Sequence, residues 1–293
     1  MAPHFHPESI HLPESIHLAD REDSRDTGRL TRRHFVLGGT TLLLCGCATT
    51  PITGRSQLML VSVEQETALG VQAYREVLQK EPVTDDPRYT TPVLRITKRL
   101  EEAANRPDLR WEVSVIEEDK TVNAFALPGG KIGVYTGIFP IAQTEAGLAI
   151  IMGHELGHVI ARHGAERMSQ QLGAQLLGSA LAVGFQASPY ANTIMAAYGL
   201  GAQVGVLLPY SRLQESEADR IGLIIAAKAG YDPQAAVGVW QRMAKLSGRR
   251  PPPFLSTHPT PESRIEEIQK FLPQAAAQFR SQGDDGETSL PAV

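Results

Sequence analysis

Apolar and polar positions along the chain follow a helical rhythm at both ends of the body and an alternating rhythm between them. Ser62-Val63-Glu64-Gln65-Glu66 opens a first helix: Ser62 is placed to cap it, and Gln65 completes a capping box with Ser62. Glu64 and Glu66 add negative charge at the positive end of the helix dipole. This helix runs to about Gln79, and a second covers roughly Pro92 to Asn105, stopping before Arg106-Pro107. Trp111-Glu112-Val113-Ser114-Val115-Ile116 then alternates as a half-buried strand does. Asn123-Ala124-Phe125-Ala126-Leu127 and Lys131-Ile132-Gly133-Val134-Tyr135 flank Pro128-Gly129-Gly130, which predicts a hairpin.

Downstream the helical rhythm returns. Thr144 to Arg167 carries the apolar run Leu148-Ala149-Ile150-Ile151-Met152, and from Met168 to Ser211 there is no charged residue. Leu176 to Phe185 and Ile194 to Leu208 are apolar, but Gln186, Ser188, Pro189 and Asn192 interrupt them, so neither piece has the length of a membrane span. They predict a helical hairpin, either buried or lying against a membrane surface. A further helix runs from Ser211 to Lys228 and is closed by Gly230. Asp232-Pro233 starts another, to about Leu246, whose Trp240 and Met243 belong in the core. Arg249-Arg250-Pro251-Pro252-Pro253 is a stiff loop, Thr260-Pro261 begins the last helix, and from about Pro273 the tail reads as disordered. The fold class is α+β, mainly α-helical, with a small antiparallel sheet beside the helix that carries Leu148 to Met152.

That helix contains His154-Glu155-Leu156-Gly157-His158, an H-E-x-x-H pattern. Residues four apart share a helix face, so His154 and His158 can point both imidazoles at one ion. Zinc suits imidazole, and a catalytic zinc keeps three protein ligands and one open position. Glu155 sits beside that position, where a carboxylate can take a proton from water. A large group of H-E-x-x-H enzymes takes its third ligand from a glutamate in an E-x-x-x-D pattern on a second helix. Glu215 and Asp219 resemble that pair; by it Glu215 binds the metal and Asp219 accepts the outer ring N–H of a histidine ligand. Glu217 points away from this face and is expected in solvent. The plainer reading is two ordinary helices with solvated histidines and carboxylates. The sheet also has two readings: its edge strand, Asn123, Ala124, Phe125 and Ala126, pairs with an extended peptide substrate, or it has no substrate role.

Composition separates the two ends of the chain. The 293 residues carry a net charge of −4, which gives no footing for nucleic acid. Five of the nine histidines precede residue 35. Residues 1–30 are polar, with Pro7-Glu8-Ser9-Ile10-His11-Leu12 nearly repeated at Pro13-Glu14-Ser15-Ile16-His17-Leu18, and predict disorder. A basic patch and a short apolar core follow, as in an export signal, and Arg32-Arg33 before Phe35 resembles a twin-arginine signal. Leu44-Cys45-Gly46-Cys47 resembles a lipobox, which makes Cys47 the lipidated mature N-terminus; the alternative is a signal core with two small apolar cysteines. Ala48 favours the outer membrane by the same resemblance. After such cleavage no second cysteine remains, so no internal disulfide is expected. The expected organisation is a leader and signal over 1–46, a tether over 47–61, a peptidase domain over 62–272 and a tail over 273–293.

Together, Asn123 to Gly130, His154 to His158, Glu215 to Asp219 and Thr257-His258-Pro259 resemble the zinc peptidases that include HtpX and the CAAX prenyl endopeptidase. The resemblance implies a zincin-like fold with one zinc on His154, His158 and Glu215, and a catalytic Glu155. His258 is implied near the zinc, steadying the oxyanion or occupying the open position at rest. HtpX and the prenyl endopeptidase span membranes several times, whereas this chain has one export signal and a lipid anchor. It therefore looks like the periplasmic lipoprotein branch, whose members trim misassembled outer-membrane proteins. The implied activity is hydrolysis of unfolded envelope polypeptides. The alternatives are a chaperone-like binder of unfolded outer-membrane proteins, its zinc site held shut by His258, and a hydrolase of a non-peptide envelope substrate.

Overall fold

The centre of the core is the H-E-x-x-H helix, Glu145–Ile160, in a computed structural model that describes residues 47–185, 211–246, 252–258, 263–281 and 288–291. The leader with Arg32, Arg33 and Cys45, residues 186–210 of the uncharged stretch, and Thr260-Pro261 lie outside the described residues. In chain order the elements are β1 (Cys47–Thr49), β2 (Ser56–Leu58), α1 (Val63–Lys80), β3 (Val83–Thr84), α2 (Pro87–Ala104), β4 (Glu112–Ile116), β5 (Ala124–Leu127) and β6 (Lys131–Tyr135). Then follow α3 (Phe139–Ala142), α4 (Glu145–Ile160), α5 (His163–Phe185), α6 (Arg212–Lys228), α7 (Ala235–Lys245), α8 (Pro253–Thr257) and α9 (Ser263–Ala276). Among the described residues no helix is long and apolar enough to cross a membrane.

The cap at Ser62 forms as its sequence predicts: the Ser62 hydroxyl accepts from the Gln65 amide, and the Gln65 side chain accepts from the Ser62 amide. α2 starts five residues earlier than Pro92 because Asp86 caps it and Pro87 fills its first turn; the Asp86 carboxylate accepts from the Arg88 amide at 2.8 Å. Pro92 is an interior, buried residue of that helix.

The sheet has four strands in the order β3-β4-β6-β5, and it is mixed where an antiparallel one was expected. β5 and β6 form the expected antiparallel hairpin through Gly129 and Gly130, both at positive φ (86° and 79°). β4 pairs with β6 in parallel, from Glu112↔Lys131 to Ile116↔Tyr135. The cause is the path of 117–123, which carries the chain past the position of β6, so that the return strand runs beside β4 in its own direction. Alternation of side chains identifies a strand but not its neighbour. The result leaves β5 at the open edge.

α4 is buried on nearly every face, and its backbone lies against that of α6. Three glycines permit the approach. A Cβ on Gly157 would sit 2.5 Å from the Ala218 carbonyl oxygen, and one on Gly222 would sit 2.6 Å from the His154 nitrogen; Gly153 faces Gly222 from the other side. This contact brings the short acidic side chains of α6 within reach of the histidines of α4. The stretch from Thr144 to Arg167 holds two helices, because Arg162 has φ 58° and the chain turns there before α5 begins.

Both expected loose ends are partly built into the fold. The tether pairs as β1 and β2, with Ile52 and Gly54 at positive φ in the turn, and Arg55 reaches back to Glu166 and Glu217. At the other end α9 continues through Pro273 to Ala276. Residues 288–291 return to the start of α4, where the Glu145 amide donates to the Thr288 carbonyl (3.0 Å) and the Leu290 amide to the Gln143 carbonyl (2.9 Å). A helix start leaves amides without intrahelical acceptors, and this segment supplies one.

Candidate metal centre

His154 and His158, one turn apart on α4, place their Nε2 atoms 3.1 Å from each other. α6 adds Glu215, with Oε2 3.5 Å from His154 Nε2 and Oε1 3.3 Å from His158 Nε2. α8 ends at His258, whose Nδ1 lies 3.3 Å from His154 Nε2 and 3.0 Å from Glu215 Oε1. All four residues are at most 4% exposed. Ring nitrogens that face one another need either a shared proton or a shared cation. A tetrahedral zinc with bonds of about 2.0–2.1 Å separates its ligands by roughly 3.3–3.4 Å. The observed separations bracket that value, so the donor set fits one first-row metal ion, and the ligand atoms all lie within 4.8 Å of one another.

The electrostatics suit ligation. Burial drives the His158 imidazole well below its usual pKa, against the pull of Glu215, and thus favours the neutral form that binds metal. Burial alone would raise the Glu215 carboxyl. Hydrogen bonds to His158 and His258 and the charges of His154 and Arg264 outweigh it and hold the group well below the carboxylate range. Burial raises Glu155, and among the described residues its Oε1 accepts no hydrogen bond although His258 Nε2 lies 3.4 Å away. For His258, burial lowers the pKa, but Glu155 and Glu215 outweigh it and raise the group.

Behind this cluster, Asp219 lies beside His154. It accepts from His154 Nδ1–H at 2.8 Å, which turns His154 Nε2 towards the cluster. Arg264, not singled out in the sequence, holds both carboxylates of this face: Nε and Nη2 donate to Asp219 at 2.9 Å, and Nη1 lies 2.8 Å from Glu215 Oε2. Its guanidinium sits 3.5 Å from the centroid of the Trp240 ring, so Trp240 is core and also a wall of the site. No local pattern marks Arg264, because its partners are far away in sequence.

Glu217 is not in solvent. It is 4% exposed, ion-paired to Arg55 at 2.8 Å, within 3.1 Å of His163 Nε2, and bonded by the Thr53 hydroxyl. Its distance round the helix from Glu215, roughly 200°, is as expected. The break at Arg162, however, folds the start of α5 back over that side. His163 was missed for the same reason.

β5 flanks α4, and the Ala126 amide lies beside Glu155, where it favours the charged carboxylate. Asn123 precedes the strand, with its carbonyl accepting from the Tyr135 amide at 3.1 Å. Phe125 packs edge-on to Tyr74 and Tyr135. A cavity of about 310 Å³ opens beside this strand, lined by Leu69, Gly70, Ala126, Leu127, His158 and Met168 among others. Cys47 stands at the start of β1, apart from these groups in sequence and element.

Residues 87–272 match the profile of peptidase family M48. The mitochondrial metalloendopeptidase OMA1 of Schizosaccharomyces pombe is 36% identical over 246 residues, which cover 82% of this chain and 71% of that protein. OMA1 of Saccharomyces cerevisiae is 32% identical over 244 residues, 77% of this chain and 69% of that protein. The beta-barrel assembly-enhancing protease of Escherichia coli is 34% identical over 226 residues, 74% of this chain but only 46% of that protein. The alignment thus spans less than half the length of the bacterial relative. On the family profile, these relatives and the histidine–glutamate cluster, the chain belongs to peptidase family M48, a family of metalloendopeptidases.

Proposed function

We propose that this chain is a zinc endopeptidase of the bacterial cell envelope that cleaves misfolded or misassembled envelope proteins. The observation that carries the reading is one buried cluster: His154, His158, Glu215 and His258 with Glu155 beside them and an open strand edge alongside. His154, His158 and Glu215 would hold the zinc. When bound there, zinc supplies a Lewis acid that polarises a carbonyl and makes water a better nucleophile at neutral pH.

The residues of the chain do the rest. Asp219 and Arg264 fix His154 and Glu215. β5, an edge strand among the described residues, offers its outer edge to an extended peptide, so that the scissile bond lies along the strand and next to Glu155. Burial raises the proton affinity of Glu155, which then accepts the proton of the attacking water and delivers it to the leaving amine nitrogen. Polypeptide substrates follow from the family. The envelope location rests on the lipobox at Cys47, the basic Arg32-Arg33 patch before it and the likeness to the assembly-enhancing protease. In this reading a lipid on Cys47 holds the protein at the periplasmic face of the outer membrane, after export by the twin-arginine or the general route. Radiolabelled palmitate entering the native chain and not Cys47→Ala is the expected result; equal labelling removes the anchor.

One observation favours a second, latent state: His258 Nδ1 lies as close to the cluster as a fourth ligand would. Such a protein would bind unfolded outer-membrane chains without cutting them until His258 moved. Casein hydrolysis by His258→Ala separates the two roles. A gain of about tenfold or more marks His258 as a lock, whereas a loss of about 10²–10³ marks it as a stabiliser of the transition-state oxyanion.

A further inference from the structure

We propose that His163 and Glu217 are positioning residues of the metal centre, which fix the orientation and tautomer of His158 through a hydrogen-bonded chain that Arg55 closes. His158 Nδ1 lies 2.9 Å from His163 Nδ1, and His163 Nε2 lies 3.1 Å from Glu217 Oε2. Glu217 in turn accepts from Arg55 Nε at 2.8 Å and from the Thr53 hydroxyl. His158, His163 and Glu217 are 3%, 0% and 4% exposed, so water does not supply these bonds.

The chemistry of the groups assigns the protons. A carboxylate only accepts, so His163 must present Nε2–H to Glu217. In the neutral ring its Nδ1 is then a bare acceptor. Two ring nitrogens 2.9 Å apart need one hydrogen between them, and only His158 Nδ1 can carry it. His158 Nε2 would thereby keep its lone pair for a metal ion held together with Glu215 and His154. Asp219 does the same for His154 in a single step. The two histidines are thus oriented from opposite sides by carboxylates of one helix, Asp219 directly and Glu217 through an inserted imidazole. The segment that supplies Arg55 and Thr53 lies eight and six residues after Cys47 in the chain, so the part of the protein next to the lipobox helps to build the metal site.

The inference rests on the metal-site reading, and the test separates the two. Zinc content of the purified native chain tests the site itself: about one zinc per chain is required. Zinc release to an excess of chromophoric chelator, together with the visible spectrum of the cobalt-substituted protein, then tests the chain of bonds. His163→Phe keeps the ring and loses the acceptor, and should release zinc about 10- to 100-fold faster with an altered cobalt spectrum. His163→Asn keeps an acceptor at the place of Nδ1 and should recover most of the native retention. Glu217→Gln keeps the size but weakens the anchor, and should fall between them. Native release rates and spectra in His163→Phe, or equal losses in His163→Asn and His163→Phe, overturn the proposal. If His163→Phe does not fold, a Glu217→Gln protein that folds and holds zinc like the native one overturns it equally.

Discussion

At the scale of single residues, the site depends on where side chains are missing as much as on where they are present. Gly157 and Gly222 let two helix backbones touch, and only at that distance does Asp219 reach His154. Gly157→Ala puts a Cβ 2.5 Å from a backbone carbonyl oxygen, which neither helix can yield cheaply. It should destabilise the protein by about 1–3 kcal/mol and also weaken metal binding, read as a lower midpoint in denaturant and a lower zinc content. An unchanged midpoint would show that the helix contact is looser than described. The grouping of His154 with His158 and of Glu215 with Asp219 was legible because a helix forces residues four apart onto one face, and only the resemblance to an E-x-x-x-D pattern joined the two pairs. Arg264 and His163 were not, since each acts on residues that only the tertiary fold brings near. Glu217 was read with the right direction and the wrong surroundings: nothing in a helical wheel says what covers its far side.

At the scale of elements, the helices and strands were read better than their connections. Caps such as Ser62–Gln65 are local chemistry and leave a local trace. The parallel pairing of β4 and β6, and the break between α4 and α5 at Arg162, come from packing against distant elements. The N-terminal hairpin of β1 and β2 looked like a tether because it is short and rich in Thr, Pro and Gly. It is held by Arg55, which pairs with Glu166 on α5 and Glu217 on α6. This gives the hairpin a pH dependence. Burial would raise the Glu166 carboxyl, but hydrogen bonds from Arg55 and Gln214 outweigh it and lower the group below its ordinary 4.5. The unfolded chain therefore binds this proton first. The stabilisation is complete above the unfolded value and is lost as the pH falls towards the folded one. Melting temperatures of native protein and Glu166→Gln should differ at pH 7 and converge below about pH 4.5. A constant difference down to low pH would remove Arg55–Glu166 as the cause.

At the scale of the whole molecule, the hairpin that precedes residue 62 and the family match at 87 packs on α5 and α6 through Arg55, and the proposed positioning chain makes it part of the functional unit. A chain that starts at residue 62 lacks Thr53 and Arg55, and should lose zinc to a chelator about tenfold faster than one that starts at residue 48. Equal retention would confine the site to the helices. The same reasoning extends to the C-terminus, where residues 288–291 complete the start of α4. The central claim is hydrolysis of peptide bonds at this cluster with Glu155 as the proton carrier. It is tested most directly by casein cleavage, with zinc measured on the same samples, for the native chain and Glu155→Gln. The expected result is about one zinc per chain in both proteins and a rate lower by about 10²–10⁴ in the variant. Equal cleavage by both proteins, or cleavage by neither and none by His258→Ala, would contradict it.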